Sequence, residues 1–302
     1  MCQGPESSCG AGNPARKTAF RPAIRLMTAE DIPMGLRLCR ASGWNQVADD
    51  WRCFLELAGG GCRVAEVNQQ VVGSVAYFRY GSAFTWLAMM LVDPGHRGMG
   101  IGSQLMEAAL RELGEDSCVR LDATPLGEPL YRRFGFMPEY ELLRAKLTVM
   151  PGRLRPSAAA ARRTQAADLP QIFARDREYF GADRSALLAS FHERAPQYGW
   201  VATEGASVAG YSFGRPGHLY HHIGPIMADR IGVARELLSH CLAPHEGNTF
   251  VVDASRFAPE WIPWLESAGF TVERPFLRMY RGEHRYPGVP ERQFGIAGPE
   301  FG

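Results

Sequence analysis

Apolar residues along the chain fall into short runs whose period alternates between that of strands and that of helices. Ala23 to Met27 predicts a first strand. Thr28-Ala29-Glu30-Asp31 supplies a capping signal, and a helix follows through Leu36 and Cys39. Ala41 to Asn45 breaks it. Val47 to Leu57 predicts a second helix with Trp51, Phe54 and Leu55 inward, stopped by Gly59-Gly60-Gly61. Cys62 to Val67 and Val71 to Tyr80 read as strands joined in hairpin fashion at Asn68-Gln69-Gln70, with a third strand from Phe84 to Val92. Simple alternation in that third strand places Phe84, Trp86, Ala88 and Met90 on one face and Leu87, Met89 and Leu91 on the other, so both faces read as covered. Ser103 to Leu113 is a helix with Leu105, Ala109 and Leu113 on one stripe. Cys118 to Leu121, Gly127 to Phe134 and Phe136 to Lys146 then predict strand, helix and strand.

The hand-over from the third strand to the Ser103 helix carries the chemistry. It reads Asp93-Pro94-Gly95-His96-Arg97-Gly98-Met99-Gly100-Ile101-Gly102. A helix start leaves N–H groups unpaired and carries about half a positive charge, so glycines that let a ligand approach it make an anion site. Arg97 adds a permanently charged, planar partner for phosphate oxygens. A pyrophosphate loop is therefore expected. As a dinucleotide fingerprint it is incomplete: Ser103 stands where a third glycine belongs, and Asp93 to Arg97 intervene where a tight turn should follow the strand. Asp122, about twenty residues on, is the one further match to that fingerprint. No Gly-Lys-Ser/Thr follows, which excludes a Walker loop.

Arg97-x-x-Gly100-x-Gly102 resembles the acetyl-CoA pyrophosphate loop of the GNAT superfamily of N-acetyltransferases. Val92-Asp93-Pro94, the helix end Ala108-Ala109-Leu110 and Leu130-Tyr131-Arg132-Arg133-Phe134-Gly135-Phe136 resemble that superfamily in the same order. The resemblance implies that Leu91, Val92, Arg97, Gly98, Met99, Gly100, Ile101, Gly102 and Ser103 hold acetyl-CoA. An edge-like splay after Met89 would free the backbone of Met90, Leu91 and Val92 for the pantetheine arm. It also implies direct attack by an amine in a ternary complex, with Tyr131 as general acid to the departing thiolate.

Met150-Pro151-Gly152 and the small residues Ser157 to Ala161 mark a boundary, after which the first half repeats at an offset of about 132 to 137 residues. Arg163 to Pro170 echoes Met27 to Pro33, Asp229 to Leu238 echoes Arg97 to Met106, and Trp264 to Phe270 echoes Leu130 to Phe136. In that register Arg97 becomes Asp229, Gly98 becomes Arg230 and Tyr131 becomes Leu265, so the second copy is expected to have lost catalysis. The expected architecture is α/β (α+β): two tandem GNAT-like acyl-CoA N-acyltransferase domains, each a mixed, mostly antiparallel sheet flanked by helices. The boundaries are a disordered leader 1–21, a catalytic domain 22–150, a degenerate copy 156–282 and a tail 283–302 laid over a surface.

Composition narrows the partners. The 302 residues are 46% hydrophobic and carry 33 basic against 32 acidic side chains, a net charge of +1. No global field for nucleic acid or an anionic membrane exists, and no apolar run reaches the length of a membrane span. Seven scattered cysteines without a Cys-x-x-Cys read as incidental thiols in a reducing, cytoplasmic setting, and nothing points to a metal. The acceptor is expected to be a small-molecule or peptide amine, with oligomeric state open. Trp44 and Asn45 are candidates to line its pocket, and Asp122, ending a strand beside the cleft, is the candidate base. Glu56, Glu66, Glu128 and Glu139 are weaker ones. His221 and His222 lie on opposite faces of their segment, so at most one reaches a shared cleft, and neither is assigned a role. The rival reading is a non-catalytic acyl-CoA-binding or regulatory module. Tyr131 beside an intact loop favours the enzyme, because binding alone needs no acid.

Overall fold

A computed structural model describes residues 22–114, 118–157 and 161–302; the expected leader lies outside them. The first half runs β1 (Ala23–Leu26), α1 (Ile32–Ala41), α2 (Ala48–Ala58), β2 (Cys62–Val67), β3 (Gln70–Tyr80), β4 (Phe84–Val92), α3 (Ile101–Leu113), β5 (Val119–Ala123), α4 (Glu128–Arg133) and β6 (Met137–Thr148). The second repeats it as β7 (Arg162–Arg163), α5 (Leu169–Phe180), α6 (Ser185–Arg194), β8 (Trp200–Glu204), β9 (Ser207–Arg215), β10 (His221–Ala228), α7 (Ile231–Leu242), β11 (Thr249–Ser255), α8 (Trp261–Ser267) and β12 (Thr271–Arg281). A last strand, β13 (Gln293–Gly295), lies in the tail. The fold class is the expected mixed, mostly antiparallel α/β one. No helix among the described residues is long and apolar enough to cross a membrane.

The halves are not separate sheets. Among the described residues thirteen strands form one sheet in the order β1-β2-β3-β4-β5-β12-β6-β11-β13-β10-β9-β8-β7. Its centre is exchanged between the halves. β12 pairs with β5 from Leu277↔Ala123 to Arg281↔Val119, and β6 pairs with β11 from Thr249↔Thr148 to Ser255↔Leu142. Each half therefore completes its sheet with the other's last strand, a swap that alternation within either strand does not encode.

A bulge in β4 corrects the simple alternation. Met89 takes φ +53° and the β3–β4 register shifts between Ser74 and Ala76. Ser74 Oγ donates to the Met89 carbonyl at 2.8 Å. Beyond the bulge the phase flips: Met89 and Leu91 join the Phe84, Trp86 and Ala88 face, while Met90 and Val92 turn to the Leu87 face. The first of these faces packs into a core shared by both halves, where Trp51, Phe54 and Trp86 meet Phe180, Phe191, Tyr211 and Phe301.

Candidate active site

The glycine turn ahead of α3 is built by backbone. Gly98 and Gly100 have φ +79° and +80°, a region that β-carbons disfavour, and Gly100 is the N-cap of α3. A side chain built at Gly98 meets nothing within 4 Å, so the turn is open to a ligand. The N–H groups of Ile101, Gly102 and Ser103 stand in the first turn, without intrahelical acceptors. Arg97 is exposed at the rim and folds back, its Nε donating to the Val92 carbonyl at 3.2 Å and its Nη2 to Ser42 Oγ at 3.3 Å. Asp93 fixes the turn by accepting from the Gly95 N–H at 2.9 Å and pairing with Arg37. Exposed Met99 completes the loop, while Leu91 and Val92 are side chains of the two cores and offer the ligand only their backbone.

A cleft lies against β4, the strand that leads into this loop. The parallel β4–β5 ladder holds Thr85↔Val119 and Trp86↔Arg120 and no further pair, so the strands part ahead of the Met89 bulge. The cleft is lined by Leu87 to Met90, Asp122, Thr124 and Tyr131 from the first half. Tyr131 is 8% exposed, packs its ring edge-on to Phe136 and has no hydrogen-bond partner among the described residues. Burial pushes its phenol well above the ordinary range, so it holds its proton at neutral pH.

Asp122 is neither a turn residue nor a free base. Its side chain has no exposed surface, and both oxygens accept from Arg278 of β12, Nε to Oδ1 and Nη2 to Oδ2, each at 2.8 Å. Burial pushes the carboxyl up and the guanidinium opposes it, burial being the larger effect. Glu66, Glu128 and Glu139 pair with Arg25, Arg132 and Arg120 and do not line the cleft.

The facing wall comes mainly from the second half, with Arg144 contributed by the exchanged strand β6 of the first. Arg144, Arg215, Tyr220, His222, Arg274 and Phe276 line it, joined by Pro299 and Glu300 of the tail. Trp44 lines the cleft and is half-buried against the shared core. Asn45 lines it too, but its amide is committed as a strut. Its Nδ2 donates to the Tyr220 carbonyl at 2.9 Å, and its Oδ1 accepts from the N–H groups of Leu219 and Tyr220 at 2.7 and 3.2 Å. His222 reaches the cleft, which the sequence left unassigned; His221 turns away to Tyr198. Burial pushes the His222 pKa down, and the ring stands with Nε2 at 3.1 Å from Asp253 and Nδ1 beside Arg215. Arginines on β6, β9 and β12 carry no motif of their own, so only the exchanged sheet brings them here.

Two stretches, residues 58–138 and 172–295, match family profiles described as acetyltransferase (GNAT) domains. The chain belongs to the GNAT acyltransferases, in tandem form. It is an enzyme that moves an acyl group from acyl-CoA to an amine. The GNAT chain is 27% identical over 263 residues to a holothin acyltransferase of Pseudoalteromonas sp. (strain SANK 73390), covering 87% of this chain and 88% of that protein. It is 24% identical over 214 residues to an uncharacterized N-acetyltransferase of Bacillus subtilis (strain 168), covering 70% and 75%. A structure from Pyrococcus horikoshii assigned as an acetyltransferase shares the fold with TM-score 0.78 at 20% identity, over 97% of this chain and 100% of that one. A tandem GNAT protein from the clavulanic acid biosynthesis pathway superposes with TM-score 0.59 at 16% identity, over 85% and 97%.

In this tandem GNAT protein the second copy departs from the first more deeply than the sequence register indicates. Val72 accepts from the Asp93 N–H at 2.8 Å, and Ala209 accepts from the Asp229 N–H at 2.9 Å, just as Gly73 pairs with Val92 and Gly210 with Ala228. Asp229 thus stands in the place of Asp93, not of Arg97. Residues 93–100 join β4 to α3, whereas residues 229–230 alone join β10 to α7, so the loop is shortened rather than merely substituted. The Asp229 carboxylate accepts from the Tyr179 hydroxyl at the start of α7. The splay between β10 and β11 is filled as well. Those strands pair at His221↔Phe250 and His222↔Val251, and β13 then lies between them, against Ile226 and Met227 on one side and Ala254 on the other. Residues Gln293–Gly295 of the tail are therefore a strand in the sheet and not a cover over its surface.

Proposed function

We propose that the first half transfers an acetyl group from acetyl-CoA to a primary amine by direct attack, with Tyr131 as the general acid. The observation that carries this reading is the Tyr131 hydroxyl, which has no hydrogen-bond partner among the described residues and lines the same cleft as the Met89 bulge. The residues present fit acetyl-CoA. The open glycine turn and the first-turn N–H groups of α3 suit its pyrophosphate, and the β4–β5 splay exposes strand backbone for its pantetheine arm. Bound there, acetyl-CoA supplies an activated thioester and a thiolate leaving group.

Every other task falls to the chain. Arg97 and Ile101 to Ser103 anchor the phosphates, with Gly98 to Gly100 keeping the approach clear. Tyr131, protonated at working pH, gives its phenolic proton to the leaving sulfur, a role worth about a hundred to ten thousandfold. Only about one part in a thousand of an amine with pKa near 10 is neutral at pH 7. Arg274 on the facing wall, with no ion pair among the described residues, disfavours an ammonium and so raises the neutral fraction. Asp122 is a positioning residue, holding Arg278 and through it the β5–β12 joint. The second half has no cofactor role, since β13 occupies its splay. Thiol release from acetyl-, propionyl- and butyryl-CoA with an amine panel tests the reading. Turnover that falls with chain length supports acetyl, and equal rates would replace acetyl with acyl.

A further inference from the structure

The charges around the cleft cancel in pairs with one exception. Asp122 pairs with Arg278, Asp253 with Arg144 and Glu300 with Arg215, while Asp50 faces both Arg215 and Arg194. Arg274 makes no ion pair or hydrogen bond among the described residues. Its guanidinium lies 4.8 Å from the Phe276 ring centre and it lines the cleft. The adjacent Glu273 is taken by Lys146, Nζ to Oε1 3.1 Å. Arg274 also stands directly across the β12–β6 ladder from Arg144. Like charges directly opposite on neighbouring strands are destabilising, and Arg144 and burial both push the Arg274 pKa down. A guanidinium stays charged under such pressure. Its fork of donors is therefore a fixed, half-buried positive charge on the cleft wall, without a counter-charge among the described residues and open to one from outside the chain.

We propose that Arg274 recognises an oxyanion, a carboxylate or phosphate, carried by the acceptor amine, so that the preferred acceptors are anionic amines. The planar fork of an arginine suits either oxyanion in two-point fashion. Phe276 and the Arg144–Tyr220 hydrogen bond, 2.8 Å from Nη1 to the hydroxyl, hold the wall behind it. The proposal rests on the acyl-transfer reading above and names the substrate class of that same cleft. It gives the second half a function that the degenerate loop alone does not: it reads the acceptor, while the first half binds the donor.

The test is thiol release from acetyl-CoA with amine pairs differing only in the anionic group: phenylalanine against phenethylamine, 4-aminobutyrate against propylamine, and phosphoethanolamine against ethanolamine. Wild type is expected to favour the anionic member of at least one pair by about ten- to a hundredfold in kcat/KM, the scale of a charge-assisted hydrogen-bonded contact. Arg274→Gln should bring that pair close to parity through KM, and Arg274→Lys should keep part of the preference. Acetyl-CoA affinity by calorimetry should be the same in all three proteins. A wild type that favours the neutral members, a preference untouched by Arg274→Gln, or no turnover of any anionic amine by protein that binds acetyl-CoA overturns the assignment. The acyl-transfer reading survives when neutral amines still release thiol. Failure of the wild type to bind acetyl-CoA overturns that reading and this assignment with it.

Discussion

Asp122 on β5 and Arg278 on β12 form a two-point ion pair with no exposed side-chain surface, joining strands that come from different halves of the chain. Tyr140 also accepts from Arg278, at 2.7 Å from Nη1, so the joint reaches β6 as well. Removing one partner leaves the other charge buried and alone. Arg278→Met is expected to lower unfolding stability by about 3–5 kcal/mol, and Asp122→Leu with Arg278→Met by much less, because a buried pair replaced by apolar groups costs little. Urea unfolding of the two variants measures the difference. Equal losses would show that Arg278 acts through packing alone.

The glycine turn predicts a charge-dependent loss. Gly100→Ala and Gly100→Glu both place a β-carbon at φ +80°, a strain of order 1–2 kcal/mol. Only the glutamate sets a carboxylate against the incoming phosphates. Calorimetry should find acetyl-CoA binding weakened in the first and abolished in the second, with weakening again in Arg97→Ala. Similar affinities for the alanine and glutamate variants would mean that strain, not charge, governs the site.

Binding and turnover should separate at Tyr131. Tyr131→Phe removes one hydroxyl and keeps the ring against Phe136. Acetyl-CoA affinity should hold while kcat for thiol release falls by about a hundredfold or more. Matching losses in affinity and turnover would mark Tyr131 as structural.

One acetyl-CoA per chain is expected, because β13 fills the second splay. The fill is tight: a β-carbon at Gly224 would lie 1.8 Å from the Ile296 carbonyl oxygen. Gly224→Ala should displace the tail, seen as faster hydrogen exchange at Ile296, whose N–H donates to the Asp253 carbonyl at 3.0 Å. Titration of wild type to two equivalents of bound acetyl-CoA would contradict the assignment of the second copy.

Stability should fall as pH drops below about 6.5, ahead of carboxylate protonation. Burial pushes the pKa values of His221, His222 and His245 down from 6.5. Between that value and the lower folded ones, the unfolded chain takes up protons that the folded chain refuses, so their contribution is complete above pH 6.5 and is lost on acidification. His222 faces Asp253, Arg215 and Glu300, and two of these are carboxylates already held by arginines. Melting temperature measured from pH 7 to 5 should decline in wild type and decline less in His222→Gln. An unchanged slope would remove His222 from the account.

Local rules fixed much of this protein before any fold was known. The Phe84 to Val92 strand matches β4 at both ends, the helices match within about two residues, and the Gly98 to Gly102 loop opens α3 as its residue types require. Such features depend on neighbours in sequence, through periodicity, capping and the freedom of glycine. The tandem repeat was legible for the same reason, although its register near Asp229 was not, because a shortened loop leaves matching residues on either side that slide past one another.

Tertiary structure alone decided the rest. Alternation in Met137–Thr148 and Thr271–Arg281 is satisfied by either partner, so only the packed sheet chooses the exchange of β6 and β12. The Met89 bulge answers to the pairing with β3 and to the Ser74 hydrogen bond. In the cleft wall, Arg215, His222 and Arg274 lie more than a hundred positions from the glycine loop, Arg144 is held by Asp253 at a separation of 109, and β13 enters the second splay from the tail. No local pattern records such distances. They follow from which surfaces the folded chain must bury together.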